Sequence, residues 1–160
     1  MTIKVGDKIP SVSLRTMEDG KMKTVTTDEL FKGKKVVLFA LPGAFTPTCS
    51  AKHLPGFVQH ADEIKSKGVD TIACLSVNDA FVMNAWAKDQ NVNGKVLMLA
   101  DGNAEFSRAV GLVMDGSGYG MGERSQRYAM VVEDGVVKAL NVEAPGAFEV
   151  SSAEAVMKIL

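Results

Sequence analysis

An α/β fold, a central mixed β-sheet flanked by α-helices with an N-terminal β-hairpin, follows from three observations. Short apolar runs at 34–41, 69–77 and 96–99 alternate with segments of helical periodicity, the pattern that builds parallel crossovers. Glu133-Asp134-Gly135 joins the apolar runs 128–132 and 136–142, which predicts an antiparallel hairpin late in the chain. Glu18-Asp19-Gly20 separates 12–15 from 25–27, which predicts a second hairpin at the start.

The elements follow in order. After the first hairpin, Thr27-Asp28-Glu29-Leu30-Phe31 suits one helical turn. The run 34–41 is rich in β-branched and aromatic residues and reads as a buried strand, ended by Pro42-Gly43. Pro47 sets its own φ and biases Thr46 toward extended backbone, so a helix is expected to start at Pro47 or Thr48, run toward His60 and end by Gly68. The strand 69–77 carries Cys74, and Asn78-Asp79 caps a helix over 80–90 in which Phe81, Val82, Ala85 and Trp86 are expected to form the buried stripe. After the strand 96–99, residues 101–110 read as a turn and a short helix, and 111–122 as a glycine-rich loop. Ser151 and Glu154, three apart, predict a capping box opening the last helix.

Length and charge bound the function. A chain of 160 residues with 46% hydrophobic content suits one domain, 1–160, with its own core. A net charge of −1 without runs of like charge excludes nucleic acid or an anionic membrane held by general electrostatics. Residues 1–10 lack an apolar signal core and no run reaches membrane-spanning length, so a soluble, unexported protein is expected. The two cysteines are too few for a disulfide scaffold; with this composition they predict a reducing compartment, the cytoplasm, and a catalytic thiol.

That thiol is Cys49. The turn places it in the first helical turn, where unpaired N–H groups and the helix dipole favour a thiolate over a thiol. Together the strand, the cysteine-bearing helix, the late hairpin and the terminal helix make a thioredoxin-like arrangement. The dithiol motif of thioredoxins is missing, since 46–49 read Thr-Pro-Thr-Cys. A lone nucleophile needs another task.

The segment Pro42-Gly43-Ala44-Phe45-Thr46-Pro47-Thr48-Cys49-Ser50, with His53-Leu54-Pro55-Gly56-Phe57, closely resembles the type II or fifth subfamily of peroxiredoxins. The similarity continues through 75–83, Ala85-Trp86, Ser125-Gln126-Arg127-Tyr128 and 137–143, so it covers nearly the whole chain. It implies a peroxidase for hydrogen peroxide and small organic hydroperoxides in which Cys49 attacks the peroxide and Pro42, Thr46 and Arg127 complete the site. It also implies no metal, haem or flavin cofactor, a homodimer, and reduction by glutathione with glutaredoxin or by thioredoxin. The glycine-rich loop would lie near the dimer contact and the rim of the site.

Physical chemistry agrees with those roles. Lowering a thiol's pKa from ~8.5 to ~6 raises its thiolate fraction at pH 7 from roughly 3% to roughly 90%, worth about 2 kcal/mol. Nucleophilicity falls with the pKa, so the remaining acceleration must come from donors that hold the peroxide and stabilise the departing oxygen. Thr46 can accept from the peroxide and donate to it, Arg127 offers a fixed fork of charged donors, and Pro42 would shape and shield the pocket. Arg124 competes for the guanidinium role, although as a loop residue it reads as an exposed charge. The loop itself lacks the dinucleotide fingerprint and precedes a strand, which excludes phosphate binding.

Three alternatives stay open. Cys74 could resolve the Cys49 sulfenic acid in a two-cysteine cycle, although it lies in an apolar strand and no cysteine stands at 147–151. The one-cysteine cycle, with an external thiol, is the expected one. The chain could instead be a redox sensor passing its oxidation to a partner. A cysteine–histidine hydrolase would use His53, four residues from Cys49, and His53 with His60 suggests a metal site; a packing role for His53 fits better than either.

Overall fold

The computed structural model describes residues 2–160. Strands β1 (Ser13–Glu18) and β2 (Lys21–Thr26) form the N-terminal hairpin, turning through Asp19 (φ 52°) and Gly20 (φ 77°). Two successive positive φ values match the right-handed twist of the flanking strands, which is why an Asp-Gly pair suits the turn. Helix α1 (Thr27–Phe31) follows at once, capped by the Thr26 side chain, which accepts from the Glu29 amide.

The centre of the sheet is β3 (Lys35–Ala40), parallel to β4 (Thr71–Ser76), which in turn runs parallel to β5 (Leu97–Ala100). The other neighbour of β3 is β8 (Tyr128–Glu133), antiparallel, with β9 (Val136–Val142) beyond it across the Asp134-Gly135 turn. The order across the sheet is β2-β1-β5-β4-β3-β8-β9. Parallel pairs come early in the chain and the antiparallel hairpin late, as expected. Alternate β3 residues divide between two cores: Val37 and Phe39, with Leu41 just beyond the strand, face one, and Val36, Leu38 and Ala40 the other.

The expected helix from 47 toward His60 is present but uneven. Cys49–His53 is a π-helical segment, followed by α2 (Leu54–Gln59) and, across a break at His60, α3 (Ala61–Ser66). Helix α4 (Ala80–Asp89) is capped by Asp79, whose carboxylate accepts from the Val82 amide. Its buried face is Ala80, Met83 and Trp86, whereas Phe81 is 63% exposed and Ala85 is also exposed. Of the expected stripe, Trp86 is buried and Val82 packs half-buried against the core, whereas Phe81 and Ala85 give way to Ala80 and Met83. Apolar spacing alone fits either phase, and the Asp79 cap and the sheet beneath select this one.

Two further corrections concern loops. The glycine-rich stretch 111–122 holds β6 (Val113–Asp115), which pairs with β7 (Glu123–Ser125) just beyond it in a small hairpin, with α5 (Glu105–Val110) before them. Three-residue strands bury too little to leave an apolar signature. At the C-terminus the cap of α6 (Ala153–Met157) is Ser152, which accepts from the Ala155 amide, and not Ser151. Ser151 is buried and committed to Glu143, so the next serine caps the helix.

Candidate active site

The topology brings three distant pieces of chain to one end of the sheet. Strand β3 delivers Leu41 to the Pro42 turn, and β8, antiparallel to it, begins beside that exit with Tyr128 opposite Ala40. Arg127, the residue before β8, therefore lies at the turn. The ladder continues into β9, where the Glu143 amide donates to the Arg127 carbonyl at 3.0 Å. A site outside the carboxyl ends of parallel strands is where an open α/β sheet leaves room for one.

The turn is tightly held. Phe45 adopts a left-handed φ of 63° with its ring 53% exposed, a strained state for a side chain of that size. The Ala44 amide donates to Asn78 Oδ1 at 2.9 Å, and the Ser76 hydroxyl donates to the same oxygen, so the end of β4 anchors the turn. Gly43 leaves no room for a side chain: a Cβ there would stand 2.8 Å from Arg124 Nη1 and 3.2 Å from the Thr46 methyl.

Cys49 is fully buried at the start of the π-helical segment, a geometry often found at functional sites. Arg127 Nη2 donates to its Sγ at 3.1 Å. Arg127 Nη1 donates to His53 Nδ1 at 2.8 Å. A guanidinium can only donate, so Nδ1 must accept, and the ring hydrogen is on Nε2, which donates to the Ser151 carbonyl at 2.9 Å. His53 is thus a neutral spacer between Arg127 and the 144–151 segment, packed edge-on against Phe148 with centroids 5.0 Å apart. Arg127 Cζ lies 5.8 Å from the centre of the same Phe148 ring.

Thr46 is placed on the turn, but its hydroxyl donates to the Gly43 carbonyl at 2.7 Å. Its proton is therefore spent, and the hydroxyl oxygen offers lone pairs only, a narrower role than the sequence suggested. Pro42 turns its carbonyl toward Arg124 Nη1 at 3.3 Å, and Arg124 Nε donates to the Met121 carbonyl at 2.9 Å. Arg124 is therefore a half-buried tie between the glycine-rich loop and the turn, not an exposed charge, and the guanidinium that faces the sulfur is that of Arg127.

Cys74 stands on β4 opposite Phe39, fully buried, and both cysteines are free. Burial pushes its thiol well above the ordinary range; the nearby Cys49 adds to this and Arg127 partly opposes it. His60 engages Glu63 and Glu154, while His53 faces Arg127, so the two imidazoles point to different partners. Sequence reasoning missed the contacts of His53, Phe148, Glu143 and Ser151. The one available signal was an acidic residue, Glu143, directly after the apolar run 136–142.

Burial, and then the Arg127 charge, lower the His53 pKa to about 3. The unfolded chain binds a proton at this histidine below about 6.5, whereas the folded one resists until about 3, so acidification favours unfolding. Stability from this group is complete above the unfolded value and declines by up to about 1.4 kcal/mol per pH unit below it. Between pH 6.5 and 5, where most carboxylates remain ionised, urea midpoints of the wild type should fall more steeply than those of His53→Gln. Equal slopes would disprove the burial of a neutral imidazole.

Comparison with known proteins gives the family. The redoxin family model matches residues 4–157. The chain is 55% identical over 163 residues to peroxiredoxin-2E, chloroplastic, of Arabidopsis thaliana, covering 99% of this chain and 70% of that protein. It is 48% identical to peroxiredoxin-2B of the same plant, covering 99% and 98%. The solved structure of reduced Prx3 from Vibrio vulnificus in complex with hydrogen peroxide superposes with a TM-score of 0.95 at 55% identity, covering 99% of each chain. With a cysteine at the exit of the central strand and a redoxin match over nearly its full length, the chain belongs to the peroxiredoxins, in the type II class, and is a thiol-dependent peroxidase with a thioredoxin-like fold.

Proposed function

We propose that Cys49 is the peroxidatic nucleophile and that this peroxidase runs a one-cysteine cycle, reducing hydrogen peroxide and small organic hydroperoxides at the expense of an external thiol. The observation that carries this reading is Arg127 Nη2 donating to Cys49 Sγ at 3.1 Å inside a buried site. A permanent cation in a fixed fork complements negative charge on sulfur and then on the departing oxygen.

The Cys49 thiolate attacks one peroxide oxygen; the S–O bond forms as the O–O bond breaks, and the departing oxygen takes a proton to leave as water or an alcohol. Thr46 Oγ1, with its own proton held by Gly43, accepts from the peroxide O–H and so holds that oxygen, the one transferred, toward sulfur, with the second oxygen behind it as the leaving group. Pro42, fixed by Arg124, shapes the mouth of the pocket. Full burial of Sγ supports small substrates over bulky ones.

The resulting sulfenic acid condenses with a thiol, releasing water and leaving a mixed disulfide that a second thiol cleaves. Glutathione with glutaredoxin is the proposed reductant, with thioredoxin as the competing one. The burial of Cys74 and its raised thiol pKa support an external resolving thiol. The exposed aromatics Phe45, Phe81 and Tyr119, the last 84% exposed, support a homodimer, and two free thiols support a reducing, cytoplasmic setting.

Peroxide consumption by the wild type and by Cys74→Ser, supplied separately with each reductant system, tests the cycle. Cys74→Ser should stay within about twofold of the wild type on the glutaredoxin system, the change expected of a residue outside the chemistry. Loss of turnover only in Cys74→Ser establishes a two-cysteine cycle instead. Sub-stoichiometric peroxide removal with a stable partner disulfide establishes a sensor.

A further inference from the structure

The 144–151 segment is fastened over the site by one buried side chain. Glu143 Oε2 accepts from the Glu149 amide at 2.9 Å, the Val150 amide at 2.9 Å, the Ser151 amide at 2.8 Å and the Ser151 hydroxyl at 2.6 Å. Its other oxygen accepts from the Glu149 amide at 3.0 Å. Three successive backbone N–H groups turned to one point form a concavity suited to an anion. Burial pushes the Glu143 carboxyl up, but the Ser151 hydroxyl and these amides outweigh it and hold it below the ordinary carboxylate range.

What this fastening positions is the far side of the guanidinium. The Ser151 carbonyl receives His53 Nε2–H, His53 Nδ1 receives Arg127 Nη1–H, and Phe148 packs against both His53 and Arg127. With Nη1 held there, Nη2 is aimed at Cys49 Sγ. No other anion contacts Arg127 among the described residues: Asp and Glu are absent from its hydrogen bonds and ion pairs. Its orientation therefore rests on a neutral histidine, and that histidine on a carbonyl whose residue Glu143 holds.

We propose that Glu143 is a positioning residue for peroxide reduction, acting through Ser151, Phe148 and His53 to hold the Arg127 guanidinium against Cys49. The inference rests on the assignment of Cys49 and Arg127 as the reacting pair. Glu143 touches neither sulfur nor peroxide. A glutamine in its place keeps the shape and can set its carbonyl oxygen where Oε2 stands, but it accepts without charge and its NH₂ replaces the oxygen that shares the Glu149 amide, so the bonds weaken, the segment loosens and Arg127 gains freedom.

The test is a double-mutant cycle on the peroxide step, measured by rapid-mixing single turnover of the reduced full-length protein with hydrogen peroxide. Glu143→Gln should slow this step about tenfold alone and less than about twofold in an Arg127→Ala background, the coupling expected of residues acting through one contact chain. A similar slowing in both backgrounds, as global loosening or a direct field effect on sulfur would give, overturns the proposal, as does no slowing of the single variant. Should Glu143→Gln not fold by circular dichroism, Ser151→Ala takes its place in the cycle; it removes only the hydroxyl donor, so about threefold alone and no effect beside Arg127→Ala is expected. A neutral Arg127→Ala would instead refute the reacting pair itself.

Discussion

Replacing Cys49 with serine should abolish peroxide consumption with every reductant, while the protein stays folded. The expected loss is on the order of 10⁴-fold or more, the scale seen when a covalent nucleophile is removed. A hydroxyl does not ionise near neutral pH and is a far weaker nucleophile toward oxygen than a thiolate. The fold should tolerate the change, since Arg127 Nη2, now 3.1 Å from sulfur, can donate to a serine oxygen and no large cavity is left. Mass spectrometry adds a second reading: one equivalent of peroxide should add one oxygen atom to the wild type at Cys49 and none to Cys49→Ser. Retained turnover in the variant would refute the assignment.

Arg127→Ala is the second large effect, and its cost divides between chemistry and stability. Loss of a preorganised donor to a transition-state oxygen costs about 10²–10³ in rate, and the second-order constant for the peroxide step should fall by that much. Folding suffers as well, because His53 Nδ1 loses its donor in a fully buried place, a penalty of about 1–3 kcal/mol. Arg127→Lys should recover little of the rate: one ammonium cannot hold the fixed fork that reaches Sγ with one nitrogen and Nδ1 with the other. A rate constant for Arg127→Ala within about threefold of the wild type would remove Arg127 from the mechanism.

Much of the architecture was legible in the residues because it rests on local signals. The Asp-Gly turns marked both hairpins, β3 and β4 announced themselves as continuous apolar runs, and Pro42-Gly43 and Pro47 bracketed the turn before Cys49. Where competing local solutions differ little in energy, the reading slipped. Helix α4 could bury Phe81 and Ala85 or Ala80 and Met83, and only the sheet it packs on decides. Ser151 and Ser152 are equally good caps in isolation, until Glu143 claims the first.

By itself the sequence determined the sharp turn before Cys49, the missing second thiol of a dithiol motif and the succession of strands and helices along the chain, and it singled out Cys49 as the candidate thiol, because turn chemistry and apolar periodicity act over a few residues. The tertiary structure alone decided what surrounds that thiol. It separated Arg127 from Arg124, spent the Thr46 proton on Gly43, left Cys74 deep in the sheet and joined His53 to a segment fastened by Glu143. Most of those contacts join residues distant in the chain, and their strength depends on burial and hydrogen-bond direction, which arise only when the end of β3, the start of β8 and the end of β9 lie side by side.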